Sequence, residues 1–203
     1  MSCLWKGSLR EAREELSLGL SFSERAKFPG WVAIAHGRLA DAFHFLGQYP
    51  EAAAHCGQAA LSWQDGQISP SMSRLCGASA VRSEVILGQR EVDLASFTET
   101  YDRNRVKLLE SYTARVIAEA LVHAKGGGYW TEAESWLNKA LELDARDRTT
   151  WGTAQDWNLY AELYKKRGDL RRARESLGKA IEKFTECGAD GWVRITEEKL
   201  ARL

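Results

Sequence analysis

The chain is expected to fold as an all-α array of about four and a half tandem helical hairpins, and three observations carry that expectation. Gly7, Gly47, Gly88, Gly128 and Gly168 recur at steps of 40, 41, 40 and 40 residues, the regularity of one supersecondary unit copied in tandem. Between the glycines apolar residues fall at three-and-four spacing, as in Leu170, Ala173, Leu177, Ala180, Ile181 and Phe184, which is the stripe of a helix with one buried face. Only three prolines occur in 203 residues, so long helices are uninterrupted and a many-turned β fold is disfavoured.

Residues 1–30 read as a partial unit. Leu4 and Trp5 look like the last turn of a first helix whose beginning is missing, so the chain is expected to be a module of a larger polypeptide. In 31–69 the apolar run from Ile34 to Leu46 stops at Gly47, because a residue without a Cβ enters the left-handed conformation that ends a helix. Ala52 then opens the return helix, where a small residue permits close helix approach. Ala12, Ala133 and Ala173 hold the same place in their units. The segments 70–105, 106–148 and 149–188 repeat the plan, and 189–203 reads as a capping helix with Trp192, Ile195 and Leu200 inward and Arg194, Glu197, Glu198, Lys199 and Arg202 outward.

Two units depart from it. In 70–105 Asp93 stands where the alanine belongs and Glu84 where an aromatic belongs, and in 106–148 the turn is the loose run Gly126-Gly127-Gly128.

Leu39, Ala40, Phe43, Gly47, Tyr49, Ala52, Cys56 and Ala59, and again Trp157, Ala161, Tyr164, Gly168, Leu170, Ala173, Leu177 and Ala180, fall on the skeleton of small and large positions that the tetratricopeptide repeat places in its two helices. The sequence resembles that family over nearly its whole length. Its period of about 40 exceeds the family's usual 34 and is similar to long-period repeats in kinesin light chains and in bacterial signal-transduction ATPases, adenylate cyclases and maltose-activator-type regulators. The resemblance implies a right-handed α-α superhelix, a solenoid whose first helices line a concave groove.

Carried onto that groove, the family's inward positions are Asp41, His44, Phe45, Arg82, Arg115, Lys125, Asn158, Glu162 and Lys165. They would form a slightly cationic surface suited to a carboxylate or an acidic side chain. Ordinary solvated charges are the competing reading. The family's lysine-and-asparagine carboxylate clamp is not reproduced, since Asp41 or Arg82 occupies its asparagine position. A further basic cluster of Lys165, Lys166, Arg167, Arg171, Arg172 and Arg174 is interspersed with acids and reads as a salt-bridged surface rather than a nucleic-acid site.

Lys plus Arg and Asp plus Glu are both 28, so no overall field would hold nucleic acid or an anionic lipid surface. No apolar run approaches the roughly 20 residues of a membrane span, and no signal peptide is visible. Cys3, Cys56, Cys76 and Cys187 lack metal or redox spacing, which suits reduced thiols in the cytoplasm. The phosphate-loop, dinucleotide, zincin and nucleophile-elbow motifs are missing. His36, His44 and His55 could cluster as a metal or acid-base site, or be plain surface and groove histidines. Trp31, Trp151 and Trp192 recur at first-helix starts and read as packing between repeats, while Trp63, Trp130 or Trp136 could anchor a partner.

The expected role is non-catalytic, with no cofactor and no metal: a scaffold holding a protein or peptide segment in the groove. The alternative is a module of a larger bacterial regulator that senses a protein or a small-molecule effector.

Overall fold

The computed structural model describes residues 3–65 and 69–203. The polar stretch from Gln64 to Pro70 reads from the sequence as a loop between units, and residues 66–68 of it lie outside the described residues. Among them the secondary structure is entirely helical: α1 Cys3–Lys6, α2 Leu9–Ala26, α3 Pro29–Phe45, α4 Tyr49–Asp65, α5 Pro70–Ile86, α6 Leu94–Asp102, α7 Glu110–His123, α8 Trp130–Asp147, α9 Thr150–Lys166, α10 Leu170–Glu186 and α11 Asp190–Ala201. Short 3-10 turns precede and follow α7 at Lys107–Leu109 and Lys125–Gly127.

The described residues divide into two compact units, one within 8–106 and one within 107–203 together with the N-terminal 3–7. Within each, a helix packs chiefly on the helix before it and the helix after it: α2 through α5 in the first, α7 through α11 in the second. Both are stretches of all-α helical-repeat solenoid.

The repeating glycine does what its spacing implies. Gly47, Gly88 and Gly168 have φ of +74°, +69° and +80°, and the residue after each donates its N–H back five residues, Gln48 to Phe43, Gln89 to Glu84 and Asp169 to Tyr164, all at 2.9 Å. This bond satisfies a carbonyl that the helix end would otherwise orphan. Gly188 closes α10 the same way, at φ +67° with Ala189 bonded to Phe184. The fourth unit differs: Gly128 has φ −66°, and Gly126 and Gly127 take the positive φ instead. The turn has moved two residues upstream.

Ala12, Ala52, Ala133 and Ala173 are buried, three of them with no exposure at all, so the return helices do approach closely at these points. The long period goes largely into helix, since α3, α4, α5, α9 and α10 are each 17 residues. Asp93, at the alanine position of its unit, has become an N-cap: its Oδ1 accepts from Ser96 N–H at 3.0 Å. The helix it opens, α6, has only nine residues. Capping draws the helix start downstream, because an Asp side chain satisfies the first-turn donors best from just outside the helix.

The tryptophans divide. Trp192 is buried, stacked on Phe184 at 5.6 Å, and Trp151 lies 6.0 Å from it, but Trp31 is 58% exposed and does not pack between repeats. Trp63, read as a possible partner anchor, is instead buried with Ala33, Ala59 and Cys76. All four cysteines are free thiols, and burial pushes the Cys56 thiol up to about 12.

Candidate functional site

Four of the groove residues expected from the sequence lie in 8–106. Asp41 is half-buried on α3 and pairs with Arg38 at 3.3 Å. His44 is buried, its ring edge-on to Tyr49 at 5.5 Å, and Phe45 is half-buried at the end of α3. Arg82, at 4% exposure, lies inside α5's packing face. His36 and His55 do meet, with Nδ1 atoms 2.8 Å apart and Phe43 stacked on His55. His44 does not join them. Among the described residues no group of three or more His, Cys, Asp or Glu is arranged to hold a metal.

The other five lie in 107–203. Arg115 is bonded from α7 to Asp144 at the end of α8 and to Asp156 on α9, and its side chain is only 11% exposed. Two carboxylates sharing one guanidinium leave an excess negative charge, and burial together with the neighbouring Asp144 pushes the Asp156 carboxyl up to about 7 against the pull of Arg115. Arg115 thus ties three helices together, its guanidinium held by two carboxylates. Lys125 is exposed in the 3-10 turn after α7.

Asn158, Glu162 and Lys165 do come together. Four and three residues apart on α9, they share one helical face, and with Lys199 of α11 and Arg202 just past its end they line a pocket of about 280 Å³. Leu177 and Ala161 form its apolar part. Glu162 is the hub: it accepts from His123 of α7 at 3.2 Å and from Lys199 at 3.2 Å. Burial opposes its ionisation, yet Lys199 and His123 hold its carboxyl down to about 2. Asn158, 4% exposed, donates Nδ2 to Thr196 Oγ1 at 3.4 Å. That hydroxyl gives its own proton to the Trp192 carbonyl, so the amide orientation is determined and Asn158 Oδ1 is the acceptor left over, buried and without a hydrogen bond.

Lys199 and Arg202 read from the sequence as outward, solvated charges. The 40-residue step would have found one of them, because it carries Glu162 onto Arg202. The basic cluster beside the pocket is partly neutralised: Arg167 pairs with Glu134, Arg171 with Glu175 and Arg172 with Asp169.

Residues 156–182, which include Asn158, Glu162 and Lys165, match the sequence profile of the tetratricopeptide repeat. No curated protein matches the chain. Among the described residues no helix is long and apolar enough to cross a membrane.

Proposed function

We propose that this chain is a non-catalytic recognition module that holds a segment of a protein partner against the α9 and α11 face. Tetratricopeptide repeats generally mediate protein–protein interaction, and all-helical repeats of this type are typically non-catalytic. The observation that carries the reading is the unsatisfied Asn158 Oδ1 beside a pocket rimmed by Lys165, Lys199 and Arg202. A buried acceptor without a donor costs free energy that a backbone N–H of a bound segment would recover. The three cations around the single acid Glu162 would favour an acidic side chain in that segment. Leu177 and Ala161 would take an apolar side chain beside it.

Selection of a random peptide library displayed on phage against the whole chain tests this. Enriched peptides are expected to carry an acidic residue next to an apolar one, and to bind at least tenfold more weakly to Asn158→Ala and to Lys165→Glu. Enrichment of nothing, or of peptides that bind both variants as well as the parent, would refute the reading.

A further inference from the structure

The shortened α6 leaves a cleft on α5. In the neighbouring hairpin the return helix α4 begins two residues after its glycine and runs for 17. Helix α6 begins six residues after Gly88 and runs for nine, so part of α5 goes uncovered. The gap is a pocket of about 190 Å³, room for about six water-sized groups at ~30 Å³ each. Gly77, Val81 and Phe97 give it an apolar lining, and a Cβ added at Gly77 would meet nothing within 4 Å.

Its polar wall holds Arg74, Arg90 and Asp93. Arg90 reaches out to Glu84 at 3.1 Å. Arg74 donates from Nη2 to the Arg103 carbonyl at 2.7 Å, while its Nε is buried with no hydrogen bond. Asp93 spends one oxygen on the Ser96 N–H. Among the described residues no carboxylate pairs with Arg74 and no cation pairs with Asp93. One uncompensated cation and one uncompensated anion therefore line the same small apolar pocket without touching each other.

We infer that this cleft binds a free α-amino acid with an apolar side chain. The carboxylate pairs with the Arg74 guanidinium, the ammonium with the spare oxygen of Asp93, and the side chain lies along Gly77, Val81 and Phe97. A zwitterion matches both charges at once, whereas a simple anion would face Asp93 and a simple cation would face Arg74. Leucine and phenylalanine have the apolar bulk to fill the volume.

Titration of the 15N-labelled full chain with L-leucine and L-phenylalanine, followed by amide chemical shifts, tests the assignment. Saturable shifts in α5 and α6 are expected by about 10 mM, the range that a ligand of nine to twelve heavy atoms reaches at ordinary efficiency. Hexanoate, lacking the ammonium, and pentylamine, lacking the carboxylate, are expected to bind at least tenfold more weakly. Arg74→Gln and Asp93→Asn should each weaken leucine at least tenfold, the second while keeping the helix cap, since Asn caps as well as Asp. Gly77→Leu, which fills the open space on α5, should abolish binding with helix content by circular dichroism unchanged. Absence of saturable shifts would overturn the proposal, as would hexanoate binding as tightly as leucine or undiminished leucine binding by folded Arg74→Gln.

Discussion

Asp156 and the His36–His55 pair respond to acid in opposite directions. Burial and the adjacent Asp144 raise the Asp156 carboxyl to about 7 in the folded chain, above the ~3.9 of an unfolded Asp. The native state thus holds an extra proton between those values. Its stabilisation is full below about pH 4 and is lost as pH rises to about 7. The two histidines are shifted down by burial, and His55 further by His36, against the opposing pull of Glu24 on His36 and Glu51 on His55. Unfolded histidines take up protons more readily, so this pair withdraws stability as pH falls below about 6.5. Below about pH 7 the two effects oppose each other, so in urea midpoints between pH 5 and 8 His36→Gln is expected to weaken the fall toward acid and Asp156→Asn to steepen it, with no change of slope above pH 7. An Asp156→Asn curve that keeps the parent's slope between pH 5 and 7 would contradict the assignment. Arg115 is the costliest of these side chains to remove. Arg115→Leu strands Asp144 and Asp156 without their cation and is expected to cost about 3–5 kcal/mol, read as a lowered urea midpoint.

At the scale of the element, glycines split by backbone conformation. Gly168 holds φ +80°, where any Cβ is strained, and Gly168→Ala is expected to destabilise by about 1 kcal/mol. Gly178 lies within α10 with open space around it, so Gly178→Ala should stabilise by about 0.5–1 kcal/mol through helix propensity alone. Equal effects from the two substitutions in urea unfolding would mean that the turn does not depend on glycine. The alanine positions are a second element-level constraint. Ala173 has no exposed surface, and Ala173→Leu would force α10 away from α9 at about 1–3 kcal/mol.

The hairpins themselves were legible because period, glycine and alanine are local signals. Helix α6 was only partly so. Asp93 marked its unit as irregular, but that the substitution shortens the helix and opens a pocket emerges only once α5 and α6 are packed together.

On the largest scale, the N-terminal turn is held by the other end of the chain. Within the unit that contains both, Leu4 O accepts from Trp192 Nε1 at 3.0 Å, and Trp5 lies 6.5 Å from Trp151. The backbones of Gly7 and Gly191 come so close that a Cβ on Gly191 would stand 2.5 Å from the Lys6 carbonyl oxygen. Gly191→Ala is expected to dislodge α1, with a red shift in tryptophan emission and faster amide exchange at residues 4–7. Unchanged exchange there would show that the contact is dispensable.

Helix, turn and copy number are decided by interactions a few residues long: a carbonyl five back from a glycine, an apolar face recurring every turn. Those could be read directly along the chain. The Arg115 triad, the contact of Leu4 with Trp192 and the joining of Asn158 and Glu162 with Lys199 and Arg202 depend on residues 29 to 188 positions apart, and no periodicity says which charge will meet which once helices pack. From the sequence Arg115 read as an inward groove charge and Lys199 as an outward one. Packing buried one against two carboxylates and set the other beside a buried asparagine with a hydrogen bond still to make, because the cost of desolvating a charge is settled by its neighbours in space.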